Sequence, residues 1–164
     1  MALAEDLTLT RAPDSRDDID DAVGLVVDVL RTLPVKEAVT RAGRYQNMLV
    51  ALEAELFARN RATGASDRDN ENLAGRGSIT TKAEAKKRAK RGAAVGQNPE
   101  LADDLAAGVL GSSQVDAIAD AAMKTGGDAA RDPSLISSIK NSLPDEADNI
   151  AKAWVDEHNH PDCC

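Results

Sequence analysis

Within one ten-residue window the sequence places Lys82, Lys86, Lys87, Arg88, Lys90 and Arg91, with Glu84 as the one acid among them. Lys82, Lys86 and Lys90 recur at every fourth position, which on an α-helix sets three ammonium groups along one stripe with Lys87 and Arg91 beside it. The chemistry such a stripe offers is contact with the phosphates of a polyanion, double-stranded DNA above all. The competing reading is a self-neutralising face, the cations pairing with acidic neighbours such as Asp103, Asp104, Asp116 or Asp120.

Charge distribution sharpens the question. The formal net charge is −8, yet Arg76 to Arg91 alone carries +6, while residues 1–75 carry −5 and residues 92–164 carry −9. Any polyanion must meet that one segment, and the acidic flanks oppose broad non-specific binding. With one Trp, one Tyr and one Phe, stacking of bases on aromatic rings is not available as a theme.

Other reactive groups do not assemble into a site. Both histidines, His158 and His160, and both cysteines, Cys163 and Cys164, sit at the extreme end of the chain. Adjacent cysteines depart from the spacing of zinc ligands, and no second ligand cluster accompanies them. No metal and no cofactor is expected. Nor do the carboxylates pair with a histidine or with each other in a pattern that acid–base or nucleophilic catalysis would need. Gly75-Arg76-Gly77-Ser78 lacks the lysine and the preceding strand of a phosphate-binding loop. No catalytic residue is assigned, and the chain is not expected to be an enzyme.

The elements that must position the basic stripe are helices. From Asp17 a three-and-four spacing runs through Ile19, Ala22, Val23, Val26, Val27, Leu30 and Leu33, with acids in its first turns, and Pro34 ends it. A longer helix is predicted from about Val35 to Asn60, its inner face carrying Val35, Ala38, Val39, Ala42, Tyr45, Met48, Leu49, Leu52 and Leu56. So short a connection predicts an antiparallel hairpin. Arg61 to Gly77 has no periodicity and reads as an exposed loop.

Ser78 is the predicted cap of the basic helix, about Thr80 to Val95, whose inner face is only alanine. Asn98-Pro99 opens a short helix holding Leu101 and Leu105, and Gly108 closes it. Ser112 or Ser113 then caps a helix with Val115, Ile118, Ala119, Ala122 and Met123 on one face, presenting Ser112, Ser113, Gln114, Asp116 and Asp120. The two have helix-turn-helix proportions. Two further helices follow Pro133 and Pro144, the last with Trp154 on its apolar stripe.

An apolar fraction of 42% built mainly from Ala, Leu, Val and Ile buries little area per residue, so stabilisation should be modest. No run suits a membrane span or a signal peptide, so the expected setting is cytoplasmic with no membrane partner.

From Ala85 to Ala119 the order is a basic helix, Asn98-Pro99-Glu100-Leu101, Ala106-Ala107-Gly108, then Ser112-Ser113-Gln114-Val115. This stretch, best over about Lys82 to Ala122, resembles domain-of-unknown-function family 222, the helical region ahead of HNH endonuclease domains in many actinobacterial and mycobacterial proteins. Gly111 stands where the family's turn carries serine. Family members usually continue into an HNH module, whose metal finger His158-Asn159-His160 cannot reproduce in three consecutive residues, and here the chain ends first. The resemblance implies a non-catalytic, nuclease-associated accessory domain that binds DNA weakly through the basic helix 80–95.

The expectation is therefore an all-α, irregular bundle of about six helices, with a long N-terminal hairpin and a helix-turn-helix-like centre. Residues 1–16 are expected to be a flexible N-terminus, 17–157 the helical domain with the loop 61–77 inside it, and 158–164 a disordered tail. The alternative function is a protein–protein interaction or self-association module with no nucleic-acid role, its partner another protein or a second copy.

Overall fold

The computed structural model describes residues 16–76 and 80–159, and among these the secondary structure is all helical. In chain order the helices are α1 (Arg16–Thr32), α2 (Val35–Ala62), α3 (Asp67–Arg76), α4 (Lys82–Gln97), α5 (Glu100–Ala107), α6 (Ser112–Lys124), α7 (Asp128–Arg131), α8 (Pro133–Lys140) and α9 (Ala147–Asn159). The chain divides into two compact units, residues 1–42 and 43–164. Residues 1–15 of the expected flexible N-terminus, the Ser78 cap and the end of the expected tail, residues 160–164, lie outside the described residues, while Arg16 already belongs to α1.

In the first unit, α1 opens on Asp17 and Asp18, whose charge suits a helix N-terminus. It closes where the Thr32 hydroxyl donates to the Val29 carbonyl at 2.7 Å. Pro34, with no N–H to continue α1, offers its carbonyl to the Ala38 N–H at 2.9 Å, so one residue stops the first helix and starts the second.

The second unit is organised around α6, which packs on α4, α7 and α9. Val115, Ile118, Ala119, Ala121 and Ala122 are all buried on it, with Leu101, Leu105, Leu110, Leu135 and Ile139 filling the surrounding core. Among the described residues, sixteen of the twenty-seven buried apolar residues are alanine. Small side chains let helix axes approach closely, and a Cβ built on Gly92 of α4 would lie 2.4 Å from the Phe57 Cβ of α2. Helix ends follow local chemistry: Gly108 takes a left-handed φ of 74° after α5, and the Asp132 carboxylate caps α8 by accepting from the Leu135 N–H at 2.7 Å ahead of Pro133.

Several expectations are corrected. The stretch 61–77 contains α3 where a loop was predicted. Its polar sequence hid the helix because the side chain that docks it is an asparagine. Asn70 is buried, donates to the Phe57 carbonyl at 3.1 Å and accepts from Asn60 at 2.7 Å. Thr81 caps α4 by accepting from the Glu84 N–H at 3.2 Å. Residues 158 and 159, assigned to the tail, belong to α9, where the His158 ring stacks on Trp154 with centroids 4.7 Å apart.

The second half of α2 is turned the other way from its predicted orientation. Ala51, Ala54 and Phe57 are buried, while Tyr45, Met48, Leu49, Leu52 and Leu56 are exposed. Both faces of this helix are apolar, and the covered one joins Ala51 and Ala54 to Phe57, whose Cβ meets the glycine gap at Gly92 of α4.

Candidate functional site

The basic segment forms α4 as its spacing requires, and its inner side is buried through Ala85, Ala89, Gly92, Ala93 and Ala94. With Val95 the one buried aliphatic side chain of α4 longer than alanine, neighbouring helices come close enough for the long cationic side chains to reach acids across the interface. Three of the six predicted phosphate contacts do this.

Arg91 is 5% exposed. Its Nε and Nη2 donate to the two carboxylate oxygens of Asp116 on α6 at 2.9 and 3.0 Å, a bidentate fork. Arg88 donates from Nε to Glu53 on α2 at 2.7 Å, pairs with the same carboxylate through Nη2, and donates from Nη1 to the Ala74 carbonyl in the last turn of α3 at 3.2 Å. Its hydrogen bonds to Glu53 hold the guanidinium pKa above its ordinary value. Lys90, half-buried, pairs with Asp120 of α6.

Two of the links tie α4 to α6 and the third ties it to α2 and α3, and Asp116 and Asp120 are two of the acids the self-neutralising reading named. Burial pushes the Asp116 carboxyl above the usual aspartate range, against the opposing pull of Arg91 and Lys87. Lys82, Lys86 and Lys87 are exposed and form no ion pair among the described residues. The stripe of every fourth residue is thus interrupted at Lys90. A shallow groove of about 300 Å³ between α2 and α4 includes Leu49, Glu53, Glu84, Arg88 and Arg91 in its lining, so its cations already face acids.

The face predicted to be presented by α6 is committed as well. Gln114, expected at the surface, is 5% exposed. Its Oε1 accepts from the Gly111 N–H at 2.8 Å, and its Nε2 donates to the Ile139 carbonyl at 2.7 Å and the Ser142 carbonyl at 3.2 Å. One amide thus closes the turn before α6, with Gly111 rather than a serine at the cap position, and holds the end of α8. No periodicity rule distinguishes such a glutamine from a solvent-facing one.

At the other end, His158 Nε2 lies 3.3 Å from an Asp128 carboxylate oxygen, while His160, Cys163 and Cys164 lie outside the described residues. Among the described residues no group of three or more His, Cys, Asp or Glu side chains could hold a metal, and no helix is long and apolar enough to cross a membrane.

The site that residue types single out is therefore, in its inner half, a set of struts within an all-helical unit. The apolar face of α1, named from its three-and-four spacing, is exposed in the structure. Ile19 is 51% exposed, Val23 58%, Leu25 64%, Val26 45%, Val27 40% and Val29 51%. No family model, no curated protein and no solved structure matches the chain.

Proposed function

We propose that this chain is a protein-association module whose binding surface is the apolar side of α1. The observation that carries the reading is the exposure of six large aliphatic side chains on a 17-residue helix. At 100° per residue the apolar positions of α1 span an arc of roughly 200°, about twice what a helix needs to face one core. Left in water, contiguous apolar surface of this kind favours association. Within the second unit, the outer face of α2 with Met48, Leu49, Leu52 and Leu56 adds a further uncovered stripe. The aspartates within α1, from Asp17 to Asp28, oppose adsorption to anionic lipid and favour a protein occupant.

The test is a photo-crosslinking side chain at Val23 of the full chain in cells that produce it, with the same label at Asp28 on the opposite side of the helix as control. Intermolecular adducts from position 23, absent from position 28, are expected. Adducts confined to the chain itself, or none, would overturn the reading.

A second reading is supported by the exposure of Lys82, Lys86 and Lys87 and by the likeness to family 222. In it, the helix-turn-helix-like centre is scaffold, and these three lysines give a nuclease-associated accessory domain weak contact with DNA phosphates. Three contacts correspond to a slope of about −2.7 in log affinity against log salt, well short of a dedicated DNA-binding surface. Fluorescence anisotropy with duplex DNA at low salt, with Lys82, Lys86 and Lys87 changed to Glu, decides it. Unchanged affinity would remove the reading.

A further inference from the structure

We infer that the occupant of the α1 surface is a second copy of this chain, with the two α1 helices antiparallel. The inference rests on the association reading above and names its partner. Ile19, Val23, Val26 and Leu30 follow one another at intervals of four, three and four, the alternation that forms a seam between two helices. That series reads the same in both directions about a point between Gly24 and Leu25. An antiparallel copy therefore sets Ile19 against Leu30 and Val23 against Val26 twice over, which is the self-complementarity a two-fold interface requires.

Charge selects the direction. The N-terminal end of α1 carries Asp17, Asp18, Asp20 and Asp21, whereas Arg31 lies in its last turn and Lys36 just beyond Pro34. Parallel helices would stack two acidic ends upon each other, while antiparallel ones set each acidic end beside a basic one and oppose the helix dipoles.

Size sets the strength. A 17-residue helix is about 25 Å long, and the roughly 100° of arc that one partner helix covers, on a cylinder about 10 Å across, gives on the order of 220 Å² per copy. The total for two copies lies below the size of stable specific interfaces. A weak, reversible, concentration-dependent dimer follows.

Sedimentation equilibrium of the full chain from about 10 µM to about 1 mM spans the range in which so small a contact assembles. A monomer–dimer equilibrium is expected, with a Val23→Asp, Val26→Asp variant monomeric throughout and its thermal midpoint unchanged for the second unit. Orientation is read by cysteine pairing in a Cys163→Ser, Cys164→Ser background. A mixture of Ile19→Cys and Leu30→Cys chains should form a disulfide dimer that neither chain forms alone. Cross-linking of each variant with itself would overturn the antiparallel arrangement. A monomer over the whole range, or a dimer indifferent to the two aspartates, would overturn the second copy as occupant. Intermolecular adducts at Val23 in the photo-crosslinking experiment would then still sustain the association reading with a different protein, and their absence would remove both.

Discussion

Changing Asp116 to Ala should be among the most damaging single substitutions in the second unit, because it leaves the Arg91 guanidinium charged and enclosed. The Arg91 side chain is 6% exposed and that of Asp116 19%. Removing one partner of a fully buried ion pair costs about 3–5 kcal/mol, and the residual water around Asp116 brings this pair below that range, to about 2–3 kcal/mol. For a unit of this size that is a fall of roughly 10 °C in the thermal midpoint. Helical circular dichroism of the full chain during heating measures it.

The informative control removes both charges. Arg91→Met with Asp116→Leu should recover most of the loss, since apolar residues of similar volume replace a buried pair at little cost. Loss below about 0.5 kcal/mol in the single variant, within the range of ordinary surface substitutions, would refute the claim that this fork ties α4 to α6. So would a double variant no better than the single.

The same carboxylate makes a pH prediction. Burial raises the folded pKa of Asp116 above 3.8, so the folded chain holds this proton more tightly than the unfolded chain does. The associated stabilisation is present below about pH 3.8 and is lost as pH rises through the folded value. Asp116→Asn should remove that component, seen as the difference between the two midpoint-against-pH curves.

Three further outcomes follow from packing and hydrogen bonding. Gly92→Ala should destabilise by about 1–3 kcal/mol, because its Cβ would sit 2.4 Å from the Phe57 Cβ and 3.2 Å from the Ala54 carbonyl oxygen. Gly43→Ala, also within a helix but with nothing within 4 Å, should stabilise by about 0.5–1 kcal/mol; equal effects in thermal melts would contradict the close approach of α2 and α4. Gln114→Ala strands the Gly111 N–H and the Ser142 carbonyl, while the Ile139 carbonyl keeps the Ser142 N–H and hydroxyl, and should cost about 1–3 kcal/mol in urea unfolding. Asn70→Ala should release α3 locally, with faster amide exchange over residues 67–76 and little change at Ile118 or Leu105. Uniformly faster exchange would show that α3 is cooperative with the main core instead.

By itself the sequence determined the all-helical class and most helix positions. Local physics sufficed there: the three-and-four spacing from Ile19 to Leu33, the stop at Pro34, the left-handed turn at Gly108, and Pro133 after a capping aspartate. It also located α4 and its cations, and it named Asp116 and Asp120 among their acid partners.

Tertiary structure alone decided which cations remain at the surface. Whether Arg88, Lys90 and Arg91 meet solvent or Glu53, Asp120 and Asp116 depends on how near α2 and α6 come to α4, and that distance is set by alanines and Gly92 facing one another. The same holds for α2, which is apolar on two sides. Periodicity reports that a face is apolar, but shape complementarity chooses which one is covered, and here the face of Ala51, Ala54 and Phe57, with Gly92 opposite, won. Asn70 and Gln114 were illegible for a related reason. A buried amide and an exposed one look alike in sequence, and only the carbonyls that neighbouring helices bring within reach tell them apart.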